Sequence, residues 1–195
     1  MNKTAIIIPS RLDALRLPNK PLKLINNKEM ILHVYEAAKK TNTGEVYVAT
    51  PDQKIIDIII SNGGKAVLTS LNHQTGTDRI YEVFKTKLKS EPNVIVNLQG
   101  DMPNIDPQAI TDLVSYMHKD QCDIGTLASS FSSESELIDE NNVKVAVKDK
   151  LATNVFQKAT DFFRAGVKNY KNFYHHVGIY AFTNKALVRY VSLER

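Results

Sequence analysis

Three segments far apart in the sequence gather the residue types that handle phosphate and divalent metal. The first, Ser10-Arg11-Leu12-Asp13-Ala14-Leu15-Arg16-Leu17-Pro18-Asn19-Lys20, sets Arg11, Arg16 and Lys20 at offsets of five and four in a stretch broken by Pro18. These cations read either as the charges of a solvated loop or as a triphosphate clamp, since Arg forks bind phosphate oxygens bidentately and Lys adds a compact point charge. Transfer at phosphorus rests mainly on positioning and on neutralising the transferred and leaving groups, which such a clamp supplies. The second segment is Asn72-His73-Gln74-Thr75-Gly76-Thr77-Asp78-Arg79. Gly76 permits close backbone approach, and its hydroxyls and helix start suit either a polar or anionic ligand or plain helix capping; Gln74 could read a base edge. The third is Gln99-Gly100-Asp101-Met102-Pro103, where Asp101 reads either as a turn aspartate or as a carboxylate holding Mg²⁺ against phosphates.

These segments need a scaffold that brings them together, and the hydrophobic pattern supplies one. Ala5–Ile8, Val46–Ala49, Ala66–Leu68 and Val94–Leu98 are short apolar runs of the kind buried on both faces of a parallel sheet. Helical spacing links them: Met30, Ile31, Val34, Ala37 and Ala38; then Ile55, Ile56, Ile59 and Ile60 after an Asp52 cap and before Gly63-Gly64; then Ile80, Val83, Phe84 and Leu88 after a cap at Thr77 or Asp78. Asp106-Pro107 opens a further helix with Ile110, Leu113, Val114 and Met117. Four strand–helix units predict an α/β fold with a doubly wound, mostly parallel sheet. In such sheets ligands sit beyond the carboxyl ends of the strands, where all three segments fall. The last third differs. Val143–Lys148 alternates with period two, predicting one wet face, with a return strand over 153–156 forming an antiparallel hairpin. Val177–Phe182 is a strand, and Asn184 caps a helix running to Arg195. The reading is a nucleotide-binding core over 1–131 and a smaller antiparallel part over 132–195, without repeats or a long linker.

Composition narrows the function. In 195 residues, Lys and Arg number 25 against 21 Asp and Glu, a net charge of +4 with no basic run. That balance, no Trp, 8 Tyr and 7 Phe do not suit a nucleic-acid binder with a stacking platform. One cysteine, Cys122, excludes an internal disulfide and a Cys-rich zinc site. No P-loop signature and no G-x-G-x-x-G after the first strand occur. The apolar stretch after Met1-Asn2-Lys3-Thr4 is too short for a signal-peptide core, and no membrane span is present, so a cytoplasmic location is expected.

Taken in order, the segments resemble the sugar-activating cytidylyltransferases. Ile6-Ile7-Ile8-Pro9-Ser10-Arg11-Leu12-Asp13-Ala14-Leu15-Arg16-Leu17-Pro18-Asn19-Lys20-Pro21-Leu22 is similar to I-P-A-R-x-x-S-x-R-L-P-x-K-P-L, and residues 73–79 to H-Q-S-G-T-E-R. Residues 96–103 are similar to V-N-V-Q-G-D-E-P, and His176-Val177-Gly178-Ile179-Tyr180 to H-L-G-I-Y. The L-P-x-K form and the second motif match the branch acting on 3-deoxy-manno-octulosonate (Kdo) and separate it from the CMP-sialic acid synthetases. The resemblance implies a Rossmann-like nucleotidyltransferase that joins CTP and Kdo into CMP-Kdo and diphosphate, with Mg²⁺, as a cytoplasmic homodimer serving lipopolysaccharide synthesis. Carried over by position, Arg11, Arg16 and Lys20 bind the triphosphate and stabilise departing diphosphate. Ser10, Gln74, Thr75, Gly76 and Arg79 attend the nucleotide, Gln99 the nucleotide–sugar junction, and Asp101 the metal. Lys158, His176 and Tyr180 attend the sugar.

The sequence departs from the family pattern at three places. Met102 replaces a glutamate; Val155–Phe162 stands where Y-F-S-R-A-x-I-P is usual, so Lys158 replaces a forked arginine; and the family's later G-x-D-T-P-E-D-L segment, with a second metal aspartate, lies beyond Arg195. With Asp101 alone, weak metal binding and low turnover are expected of the chain as written. Another acidic sugar as substrate, or nucleotide binding without turnover, are the competing readings; nucleic-acid binding is not supported.

Overall fold

In a computed structural model the described residues are 3–13, 17–119, 122–152, 155–165 and 170–194. Strands β1 (Thr4–Pro9), β4 (Glu45–Thr50), β5 (Ala66–Leu68) and β6 (Val94–Asn97) form the parallel half of one sheet, in the order β5-β4-β1-β6. A small hairpin, β2 (Leu24–Ile25) and β3 (Lys28–Glu29), precedes helix α1 (Met30–Lys40). Helices α2 (Gln53–Ser61), α3 (Gly76–Thr86) and α4 (Pro107–Lys119) complete the crossovers.

Alternation along the central strands assigns the helices to opposite faces. Ile6, Ile8, Val46, Val48, Val94 and Val96 pack with residues of α1, α2 and α4, while Ala5, Ile7, Tyr47, Ala49 and Ile95 pack with Ile80, Val83 and Phe84 of α3. Each strand is thus apolar on both sides because each side is covered. The doubly wound fold expected from the sequence is the one observed.

The sheet continues past β6 in antiparallel fashion. Strand β10 (Asn172–Thr183) pairs with β6 through Tyr180–Thr183, with β7 (Ile124–Ser129) along most of its length, and with β8 (Lys144–Val147) through Asn172–His175. Strand β9 (Ala159–Phe163) adds to β8. A short helix α5 (Glu134–Ile138) lies between β7 and β8, and α6 (Asn184–Val191) follows β10.

Local expectations are corrected here. The helix α3 cap is Thr75, in a capping box with Asp78, rather than Thr77 or Asp78. The α6 cap is Thr183, and the helix ends at Val191. The partner of β8 is 159–163, not 153–156; 155 and 156 are not strand, and 153 and 154 lie outside the described residues. Strand β8 has no wet face, since all of Lys144–Val147 is buried. Lys144 tolerates this because its ammonium donates to the carbonyls of Asp139 at 2.6 Å and Arg164 at 2.9 Å.

Candidate active site

At the carboxyl end of β1 the chain leaves the sheet under tight control. Ser10 N–H donates to the Ala49 carbonyl at 2.9 Å, extending the β1–β4 ladder by one residue. Asp52 stands at the α2 start, but its carboxylate makes no cap bond there; it accepts the Leu12 N–H at 2.8 Å and so pins the loop that carries Arg11. Asn19, at φ 56°, takes the left-handed conformation that Asn tolerates and turns the chain into a 3-10 turn at Lys20–Leu22. That turn delivers Lys20, whose ammonium meets the Asp101 carboxylate beyond β6 at 2.7 Å. Arg16 lies outside the described residues.

Helix α3 presents its N-terminus to the same place. A Cβ on Gly76 would lie 3.1 Å from the Pro9 ring, so glycine lets the helix start rest directly on the end of β1. One turn later Arg79 is only 3% exposed, and its guanidinium donates to Thr69 Oγ1 at 2.6 Å and the Ser70 carbonyl at 2.9 Å. Burial first, and the nearby Arg11 guanidinium second, pull the Arg79 pKa below its ordinary value, against the opposing Glu82 and Asp52 carboxylates. Among the described residues no carboxylate lies within ion-pair distance of Arg11 or Arg79. Two cations without an ion-pair partner among the described residues therefore line one cavity, which is an anion site by charge. Ser10, Arg11, Gln74, Thr75, Gly76, Arg79 and Gln99 line this cavity of about 170 Å³, beside Pro9 and His73. Gln99 donates to Asn97 at 3.3 Å, and Asn97 to Thr77 at 3.3 Å, a chain of amides orienting the rim.

Two contributors escape sequence reading. His73 Nε2 is hydrogen-bonded to the Glu82 carboxylate, which also accepts the Ser70 N–H at 3.0 Å. Burial would raise the Glu82 pKa, but the bonds from His73 and Ser70 outweigh it and hold the group low. Arg79 and Glu82, three residues apart on one face of α3, together strap the 69–73 segment that leads to Gln74. That spacing is the signal that could have exposed Glu82; Asp52 offered none beyond its capping position. If CTP binds here, as the family resemblance implies, Glu82→Gln should raise its KM roughly tenfold with little change in kcat, the loss of one charge-assisted hydrogen bond in a positioning strap. Steady-state kinetics read this, and an unchanged KM would show the strap to be idle.

The sugar-side candidates lie on and around β10. Between Val177 and Tyr180 this strand bulges out of register with β7, and the Thr126 hydroxyl fills the gap, donating to the Ile179 carbonyl at 2.7 Å. Because that hydroxyl has one proton and spends it on a carbonyl, the His176 Nε2 contact at 2.9 Å has the imidazole as donor. His176 is buried, with Phe162 edge-on at 5.1 Å and Tyr180 at 5.4 Å between ring centres. Burial, then neighbouring His175, depress its pKa. Tyr180 and Lys158 share a second cavity, of about 700 Å³, with Gln157, Thr126 and Thr77 among largely apolar and aromatic walls. Thr77 is one residue from Gly76 of the first cavity, so the two spaces adjoin at the start of α3. His176 stands behind Tyr180, not on the cavity wall.

The His176 shift has a sign. A depressed imidazole pKa leaves stability untouched above the unfolded value of 6.5, and below it the unfolded chain binds a proton that the folded chain resists, so stability falls as pH drops. Melting temperature should decline from pH 7 to 5. His176→Gln, which retains a donor for Thr126, should flatten that slope; an unaltered slope would remove His176 from the account.

Comparison with known proteins then decides the class. The sequence pattern of the cytidylyltransferase family matches residues 5–195. The chain belongs to that family. It is 38% identical over 193 residues to the 3-deoxy-manno-octulosonate cytidylyltransferase of Brucella ovis, covering 98% of this chain and 76% of the relative. The corresponding protein of Brucella anthropi is 39% identical, with 98% and 77% covered. The solved structure of CMP:2-keto-3-deoxy-manno-octonic acid synthetase complexed with CTP superposes with a TM-score of 0.87 at 36% identity, covering 99% of this chain and 79% of that one. A cytidylyltransferase from Leptospira borgpetersenii, at 22% identity and TM-score 0.65, shares the fold. Met102 lies partly buried against the core. Among the described residues no helix is long and apolar enough to cross a membrane.

Proposed function

We propose that this chain transfers CMP from CTP to Kdo, forming CMP-Kdo and diphosphate for lipopolysaccharide synthesis. The observation carrying the reading is the pair of guanidiniums, Arg11 and Arg79, neither ion-paired among the described residues, at a cavity bounded by the end of β1 and the start of α3. Arg11 and Arg79 bind phosphate oxygens there, while Gln74, Thr75 and Gln99 offer donors and acceptors to the nucleoside. Lys20 exchanges Asp101 for a phosphate oxygen as the triphosphate arrives, releasing the carboxylate. Among the described residues no cluster of three His, Cys, Asp or Glu is poised for a metal. A lone freed carboxylate instead fits Mg²⁺ that arrives already coordinated by triphosphate, since this ion is held by one or two carboxylates plus phosphates and waters. Bound this way, Mg²⁺ would neutralise phosphate charge. Tyr180 and Lys158 border the space from which the sugar approaches, Lys158 facing its carboxylate. The anomeric hydroxyl oxygen bonds to the α-phosphorus as the bond to the bridging oxygen of diphosphate breaks, its proton passing to solvent and the diphosphate leaving on the side of Lys20. A cytoplasmic homodimer is the working form under this reading.

The test is diphosphate release from CTP with Mg²⁺, run with Kdo and with other acidic sugars. Kdo-dependent release supports the reading; release driven better by another acid, or tight CTP binding with no release, would replace it.

A further inference from the structure

Asp52 is the N-cap residue of α2, a position where a carboxylate ordinarily accepts an N–H of the first turn, yet its side chain makes no such bond. The carboxylate turns instead to the loop leaving β1 and accepts the Leu12 N–H at 2.8 Å. The Asp52 N–H donates to Thr50 Oγ1 at 3.1 Å. Thr50, fully buried at the end of β4, accepts the Thr69 N–H on its carbonyl at 2.9 Å. Thr69 Oγ1 in turn receives the Arg79 guanidinium at 2.6 Å. These contacts form an unbroken path, Leu12–Asp52–Thr50–Thr69–Arg79, across the carboxyl ends of β4 and β5. One end is the neighbour of Arg11 and the other is Arg79, and both guanidiniums line the same cavity. Arg11 lowers the Arg79 pKa while Asp52 raises it, so the carboxylate also stands where it offsets the repulsion between the two cations. A phosphate chain gripped by two forks binds best when the forks are spaced before it arrives, because ordering them on binding subtracts from affinity.

We infer that Asp52 is a positioning residue for the phosphate grip: it ties the Arg11 loop to the segment that anchors Arg79, so that the two guanidiniums stand at one spacing before a ligand arrives. The inference rests on the nucleotide reading above. Asp52→Ser separates positioning from plain helix capping, because serine is a strong cap but its side chain is one bond shorter and withdraws from Leu12. Asp52→Asn keeps an acceptor oxygen at full reach. Calorimetric titration with inorganic tripolyphosphate and with CTP, beside thermal melts, should be run on the wild-type chain, both variants, Arg11→Met and Arg11→Met/Asp52→Ser. Expected are about tenfold weaker binding of both ligands to Asp52→Ser, a melting temperature within about 2 °C of wild type, and recovery of most of the lost affinity in Asp52→Asn. In the Arg11→Met background Asp52→Ser should cost less than about twofold more, because its effect is exerted through Arg11. Full affinity in Asp52→Ser, an equal loss in Asp52→Asn, or losses that add in the double variant would each overturn the assignment. A wild-type chain that binds neither ligand would instead overturn the nucleotide reading on which it stands.

Discussion

Asp101→Asn is expected to cut Kdo-dependent diphosphate release by about 10²–10³-fold, the range seen when one preorganised electrostatic group is taken from a transition state. The fold should be indifferent, because the Asp101 side chain is 52% exposed and its Lys20 partner 37%, and exposed pairs are worth about 0–1 kcal/mol. The amide keeps the shape and one acceptor oxygen but loses the negative charge on which a hard cation depends. The defect should accordingly appear as a higher Mg²⁺ requirement as well as a lower plateau. Measuring release over a Mg²⁺ series at saturating CTP, beside a thermal melt, separates loss of the site from loss of the protein. A fall of less than about threefold in a folded variant would mean the carboxylate serves only the turn.

Arg79→Met should weaken CTP binding by about 100-fold, equivalent to about 2.7 kcal/mol. Two effects combine. The guanidinium is a buried cation with only Thr69 and Ser70 as described hydrogen-bond partners, so an anion gains strongly from meeting it where water screens little. It also holds the 69–70 segment whose other tether is Glu82, so removing it loosens the approach to Gln74. Arg79→Lys, which keeps charge but not the fork, should fall between wild type and Met. Since the contact is buried, the loss should persist at high salt, unlike that of an exposed cation such as Arg11. Calorimetric titration at low and high ionic strength reads both features, and normal affinity in the Met variant would relocate the phosphates.

The parallel half of the molecule was legible because its strands carry uninterrupted apolar runs and its helices carry periodic ones, each signal set by burial on both faces. The antiparallel half was less so. Strand β7, Ile-Gly-Thr-Leu-Ala-Ser, has no clean alternation, and its role is fixed by a bulge in a strand some 50 residues later. Strand β8 looks amphipathic, yet its lysine is buried because two carbonyls, that of Asp139 just before the strand and that of Arg164 just after β9, receive it. In the site, the motifs yielded Arg11, Lys20, Gln74, Arg79, Gln99 and Asp101 as separate candidates, and only the fold shows that Arg11 and Arg79 oppose one another while Lys20 and Asp101 pair. Asp52 and Glu82 were hidden for a related reason: each carboxylate acts on a segment outside its own helix.

Strand β10 belongs to both halves at once. Its final residues are laced to β6, from which the chain runs on to Gln99 and Asp101, and its middle carries His176 and Tyr180. Any hinge that swung the antiparallel half over the parallel half would have to tear the Tyr180–Thr183 ladder from Val94–Asn97. Relative movement of the two cavities is thus constrained by the sheet itself, with β10 serving as a common rail between them.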